Sequence, residues 1–349
     1  MAKKIALVVL IVLALACALS AAFLYQAKNS EGTAFLNAVR YDPGEHKGAE
    51  YCSTCHKEIY AQWKNNSRHA VATTSDSVRD VIHNLKEHLI LNYILGGEDM
   101  CHACHGPKVP NEGVNCETCH GPALADAPIM DSHEKVFKKN QAQLRRNDFC
   151  AKCHEIPGWV TPYGDWQKTE LVGQGITCQS CHMAPREGAR SYHGFDSFAI
   201  NQTIYENDLS LKDIRLHFPT LTLTIENHIK AHGIPAGGPT RILSLEISFE
   251  NARGKVLHRE RETFAKYHRV MPVLGFWPYE IIADSQLKTG EKRPLRFTLP
   301  PEIKGSIETI QLILRFYEVA DEHEGDIAKA YFVSKPILER TIAASDARR

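Results

Sequence analysis

The sequence has no excess of charge of either sign: 41 lysines and arginines stand against 41 acidic residues in 349. No basic block interrupts that balance, so there is no signal for a nucleic-acid partner. Cysteine is absent after Cys181, which removes any disulfide or thiolate framework from the C-terminal part. Methionine is scarce, with five residues. Residues 50–200 show little continuous hydrophobic pattern, so they cannot bury an ordinary core of their own. No Cys-x-x-Cys-Lys run occurs.

What is present is a repeated motif. Ten of the eleven cysteines stand in five copies of Cys-x-x-Cys-His: Cys52/Cys55/His56, Cys101/Cys104/His105, Cys116/Cys119/His120, Cys150/Cys153/His154 and Cys178/Cys181/His182. The eleventh, Cys17, lies in the N-terminal apolar run. A disulfide framework explains paired cysteines but not the trailing histidine. Structural zinc closes with two ligand pairs, and nothing in its chemistry puts histidine directly after the second cysteine each time. Covalent c-type haem needs this arrangement: two thiols add to the porphyrin vinyl groups, and the next residue lies under the iron. The motifs therefore predict five haem c groups. Each carries an iron with a proximal histidine.

The chain opens with Lys3 and Lys4, then an uncharged run from Ile5 to Tyr25, then Lys28. This predicts export. Residues 1–28 are a signal peptide, with a small-residue cleavage site at Ala18-Leu19-Ser20, or an uncleaved membrane anchor, since the run is long enough to span a bilayer. Cys17 offers a fainter lipoprotein alternative. Each alternative puts the rest of the chain outside the cytoplasm, where c-type haem is attached.

A linker over 29–49 is expected to lead into a pentahaem domain over 50–208, mostly helix and loop, in which the porphyrins replace a core. Motif starts are separated by 49, 15, 34 and 28 residues. The shortest gap predicts that the second and third haems pack closely, with Gly106-Pro107 and Gly121-Pro122 ending their helical turns. A helix is expected from Ser75 or Asp76 to Gly96, with Val78, Val81, Ile82, Leu85 and Leu89 at helical spacing and His83 and His88 on it. After Asp208 the period changes to two. LTLTIE, ILSLEISFE, KVLHRE, PLRFTLP, IQLILRFY and AYFVSKPILERTI read as strands separated by turns such as Arg253-Gly254. Together they predict an antiparallel, Ig-like β-sandwich over 209–345, and an α+β fold class for the chain.

Thirteen histidines remain beyond the five proximal ones. Met183 directly follows His182 and cannot reach the opposite face of the same haem, so bis-histidine ligation is expected. His69, His133 and His193 stand outside apolar stripes and are the leading distal ligands, with His88 and His102 behind. Trp63 is placed to pack on a porphyrin. In the β domain, His232 precedes a Gly/Pro-rich turn of the kind that holds a loop rigidly, ahead of His217 and His228.

The run CSTCHKEIYAQWKNNSRHA resembles the opening of the cytochrome c-554 family of multihaem cytochromes. CHGP, GVNCETCHGP and GITCQSCHMAP are similar to the same family and its hydroxylamine-oxidoreductase-like relatives. The resemblance implies that His69, in a W-x-x-S-x-H-like pattern with Trp63, and His193, in R-x-x-H-x-F, are distal ligands. NHIKAHGIPAG is similar to an N-x-x-x-G-H-x-x-P-T-G pattern of C-terminal domains in multihaem cytochromes. Asn227, His232, Pro235 and Gly237 match it; Ala231 and Ala236 depart from it.

The expected function is electron transfer outside the cytoplasm, between a donor and an acceptor redox protein, with membrane attachment through the N-terminal segment. The alternatives are an enzyme acting on a small nitrogen or sulfur compound at one open haem, and a subunit of an extracellular cytochrome filament. The missing Cys-x-x-Cys-Lys motif, which marks the catalytic haem of ammonia-forming nitrite reductases, favours the relay.

Overall fold

The computed structural model describes residues 47–72, 104–106, 112–121, 144–155, 161–186, 191–195, 207–237, 241–270, 279–319 and 332–348. The apolar run 5–25, the helix expected over 75–96 with His88, and Cys101, His102 and His133 lie outside the described residues. Among the described residues, no helix is long and apolar enough to cross a membrane.

The N-terminal part is built from short helices: α1 Ala49–Ser53, α2 Lys57–Asn66, α3 Cys116–His120, α4 Asn147–His154, α5 Pro162–Gln167 and α6 Cys178–His182. A 3-10 turn over Arg68–Val71 follows α2. Local signals set these lengths. Asn115 and Thr118 form a capping box on α3, and Thr177 and Ser180 form one on α6. Gly121, at φ 89°, ends α3. Pro162 opens α5 where a missing N–H costs nothing. Among the described residues the apolar core here is one small cluster of Ala49, Trp63 and Ala70, with Tyr60 and Cys116 against it. Trp63 is thus polypeptide core; its Nε1 donates to the Val114 carbonyl at 2.9 Å.

The C-terminal part is an antiparallel β-sandwich. Its strands are β1 Leu209–His217, β2 Thr220–Asn227, β3 Ile242–Glu250, β4 Val256–Val270, β5 Tyr279–Asp284, β6 Lys292–Thr298, β7 Thr309–Val319 and β8 Phe332–Ala343. One sheet has the order β1-β2-β6 and the other β5-β4-β3-β7-β8. This is an Ig-like two-sheet arrangement in which the fourth strand has joined the second sheet. Alternation delivers one face to the core: Leu221, Leu223 and Ile225 from β2 meet Leu243, Leu245, Ile247, Ile310, Leu312 and Leu314 from the facing sheet. Each such fully buried side chain contributes roughly 1.5–3 kcal/mol relative to exposure. Pro294 and Pro336 fall on β6 and β8, both edge strands, where a missing N–H breaks no ladder.

Contacts among the described residues join the parts. The buried Lys266 on β4 donates through Nζ to the Thr161 hydroxyl ahead of α5. Burial lowers the pKa of Lys266, while the carboxylates of Asp165, Asp284 and Glu155 pull it the other way. The His182 and His232 rings also approach one another across the parts, with centroids 6.2 Å apart.

Candidate metal centres

The chemistry-bearing turns share one local design. In α3 and α6 the motif is a single helical turn, and in α4 it is the C-terminal turn, so the two cysteines and the histidine project from one short rigid unit. Before α2, the His56 amide closes the turn on the Cys52 carbonyl at 3.0 Å. Backbones pack closely around these turns. Gly106 has φ +103°, and a Cβ there would lie 2.1 Å from the Gly113 carbonyl oxygen. A Cβ on Gly113 would lie 2.2 Å from the His69 carbonyl oxygen.

The histidines form pairs. His120 and His193 have ring centroids 6.3 Å apart with planes at 27°; His182 and His232 stand 6.2 Å apart at 11°; His69 and His154 stand 5.8 Å apart at 81°. Each pair joins a motif histidine to one from elsewhere. Two metal–nitrogen bonds of about 2 Å, end to end, separate two imidazole centroids by about 6 Å. His69 leaves its neighbour in sequence, His56, and stands by the fourth motif. His193 stands by the third motif rather than the fifth that it follows.

Ring orientation follows from hydrogen bonds. His105 Nδ1 meets the Ala72 carbonyl at 2.8 Å, His193 Nδ1 meets Ser191 at 3.1 Å, and His232 Nδ1 meets Gly233 at 3.0 Å. A carbonyl only accepts, so each Nδ1 carries the proton and each Nε2 presents a lone pair. The His193 amide is held by Gln62 Oε1 at 3.1 Å. Ser67 accepts from the His69 amide at 3.1 Å. The His232 loop is fixed to the sandwich core: buried Asn227 donates to Leu287 and Lys288 carbonyls at 3.2 and 2.9 Å and accepts from the Ile229 amide at 3.0 Å. Gln286 donates to the Pro235 carbonyl, and Ile234 and Leu287 exchange backbone bonds.

Burial pushes the imidazoles toward the neutral form a metal requires: His69 and His232 down to about 4 and His154 to about 3. His154 lies deep among protein atoms, yet its side chain is exposed. Buried polar atoms of the same segments, His69 Nδ1, Trp166 Nε1 and Gln179 Oε1, have no hydrogen-bond partner among the described residues. Among the described residues no group of three or more His, Cys, Asp or Glu converges on one point. The donors come instead as opposed histidine pairs beside cysteine pairs, and that set fits haem c.

None of the nine described motif cysteines is in a disulfide. Thiols of different motifs are neighbours: Cys52 bonds Cys116, Cys150 bonds Cys178, and Cys104 bonds Cys153. Burial, then the Cys153 charge, raises Cys119 to about 12. The second and third motifs thus approach through backbone, Gly106 against Gly113, while their thiols face the fourth and first motifs.

His228 bonds the Ser210 hydroxyl at 2.9 Å and lies 3.5 Å from Glu226, in a solvated network away from the pairs. His217 is exposed at the end of β1. His258 pairs with Glu260 at 2.8 Å.

Residues 51–121 match the family model described as cytochrome c554 and c-prime. The fold is similar to that in the crystal structure of a penta-heme cytochrome c552 from Thermochromatium tepidum, with a TM-score of 0.61 at 19% identity, over 86% of this chain and 100% of that one. No curated protein matches the chain. The family match and the shared fold support a multihaem c-type cytochrome with a C-terminal β-sandwich.

Proposed function

We propose that this multihaem c-type cytochrome relays electrons outside the cytoplasm through five covalently held haems, mostly with a histidine on each face of the iron. The observation that carries the reading is the recurrent spacing of 5.8–6.3 Å between a motif histidine and a second histidine. In it, Cys52 and Cys55, Cys101 and Cys104, Cys116 and Cys119, Cys150 and Cys153, and Cys178 and Cys181 hold the porphyrins. His56, His105, His120, His154 and His182 are the proximal ligands. His193 serves the third motif, His69 the fourth and His232 the fifth. His88 and His133 are the candidates for the first and second.

Bound haem supplies a one-electron carrier. The chain's own residues do the rest. The Nδ1–H bonds of His105, His193 and His232 fix tautomer and ring orientation. Histidine on both faces favours lower potentials than a methionine ligand would, and burial keeps water away. Among the described residues, thiol contacts link motif one to three, two to four and four to five, so each motif has another beside it. Six-coordinate iron has no vacant position for a substrate, which favours relay between a donor and an acceptor protein over catalysis. Export by the run 5–25, retained as an anchor or removed, completes the reading; N-terminal sequencing of the mature, fractionated protein distinguishes the two.

Intact mass of the exported protein should exceed that of the polypeptide by five haem units. The oxidised protein should be low-spin, and the reduced protein should bind little carbon monoxide. Four or fewer haem units, or stoichiometric carbon monoxide binding with steady consumption of hydroxylamine or nitrite, overturns this reading.

A further inference from the structure

The imidazole of His69 is oriented differently from its counterparts. His193 and His232 are turned by bonds from Nδ1 to backbone carbonyls, whereas His69 Nδ1 has no hydrogen-bond partner among the described residues. What meets the His69 ring is Phe195, edge-on, with centroids 4.4 Å apart and planes at 82°. The same phenyl ring stands 6.3 Å from His193 at 85°. Phe195 does this from an unfavourable backbone conformation, φ 54°, which a bulky residue keeps only when its surroundings hold it there. The surroundings are specific. The Tyr192 amide donates to the Met183 carbonyl at 3.2 Å, Gln62 holds the His193 amide, and the Arg186 guanidinium covers the buried Tyr192 ring at 4.0 Å. A Cβ on Gly194 would lie 2.4 Å from Tyr192 Cζ, so the chain passes against that ring just before Phe195. The pairs differ accordingly: His69 crosses His154 at 81°, while His182/His232 and His120/His193 lie at 11° and 27°.

We propose that Phe195 is a positioning residue for electron transfer: packed edge-on against His69, it holds that imidazole across the plane of His154 and gives the fourth centre a higher reduction potential than the same ligands would in parallel planes. The inference rests on the ligand pairing proposed above. The reason lies in how axial ligands tune an iron. Each imidazole raises the iron d orbital that overlaps its own π system. Parallel rings raise the same orbital, and the electron hole of low-spin ferric iron settles there. Crossed rings raise two orbitals about equally, so the ferric state loses that stabilisation, while the filled orbitals of ferrous iron are indifferent. The near-equal pair also leaves orbital angular momentum, which spreads the g values widely. A bond from Nδ1 would fix a ring too, but it raises the ligand's basicity and so favours the ferric state. Packing against Phe195 fixes the ring without that effect.

The test is electron paramagnetic resonance with spectroelectrochemical titration of the whole exported protein, beside Phe195→Leu, Phe195→Tyr and His69→Ala. The oxidised, unaltered protein should show a strongly anisotropic low-spin signal, with a large maximum g value, beside rhombic ones. Phe195→Leu, which keeps apolar bulk but removes the ring edge, should take away one haem's share of the anisotropic signal and move one midpoint potential lower. Phe195→Tyr should keep both. Absence of the anisotropic signal from the unaltered protein, an unchanged signal or unmoved potentials in Phe195→Leu, or equal losses in the Leu and Tyr variants overturn the inference. If Phe195→Leu does not assemble, Phe195→Gly decides by the same reading, since glycine adopts φ 54° without strain. His69→Ala tests the pairing separately, and should turn one haem high-spin. If every haem stays low-spin there, the pairing fails; if one turns high-spin while Phe195→Leu changes nothing, the role of Phe195 alone is refuted.

Discussion

The imidazoles of His182 and His232 face one another at 6.2 Å and lie within 11° of parallel, one from a Cys-x-x-Cys-His turn and the other from a sandwich loop. The second ring inherits its position from the core of the β domain, because Asn227, Gln286 and Leu287 hold the loop. Under the proposed ligation, the sandwich supplies one ligand of a metal centre.

His232→Ala should convert one low-spin haem to high-spin while the β signal in far-ultraviolet circular dichroism stays intact. An unchanged visible and electron paramagnetic resonance spectrum would return the sandwich to a purely structural or docking role.

Asn227→Ala should lower sandwich stability by about 1–3 kcal/mol, since it removes the bonds of the buried Asn227 amide to the Leu287 and Lys288 carbonyls and to the Ile229 amide. Denaturant midpoints at constant haem content measure this. A loss well under 0.5 kcal/mol would mean that solvent replaces the amide, contrary to its burial at 1% exposure.

Two glycine substitutions should separate. Gly106→Ala meets the Gly113 carbonyl oxygen at 2.1 Å, so holoprotein yield should collapse. Gly175→Ala has φ +68° but nothing within 4 Å, so it should cost only the conformational 1–2 kcal/mol or so of a left-handed residue. Equal yields of the two holoproteins would show that the second and third motif segments do not pack as described.

Acid should destabilise the fold in a defined window. Burial holds His69 and His232 near about 4 and His154 near about 3, against 6.5 in the open chain. Below 6.5 the unfolded chain takes up protons that the folded chain refuses, so stability falls as pH drops toward 3–4 and is unaffected by these groups above 6.5. Denaturation midpoints measured from pH 8 to pH 3.5 check the sign. A profile that rises on acidification from pH 6.5 to 5 would contradict it.

The sandwich was legible where alternation ran unbroken. Leu221, Leu223 and Ile225, and Ile310, Leu312 and Leu314, alternate as read. β1 was not read because its phase breaks: a register shift between Lys212 and Arg215, with Asp213 at φ 50°, separates Leu209 and Leu211 from Leu216. β5 is a short edge strand paired across another shift, between Tyr267 and His268. At the metal centres, residue types and spacing pointed to the cysteines and to His69, His193 and His232 as candidates. They did not say which histidine faces which, because the pairs are made by the tertiary path, as His69 beside His154 shows.

The join at His232 also imposes an order in time. A chain that crosses a membrane from its N-terminus presents Cys52 to the haem-attachment machinery long before β7 pairs with β3 and β8 pairs with β7. His232 reaches its place only after Leu287 and Lys288 have arrived to receive Asn227. Under the proposed ligation, the fifth centre is therefore the last to be finished. An incomplete or prematurely ended chain would betray itself by an unsaturated iron, and assembly could be followed by colour as the sandwich closes.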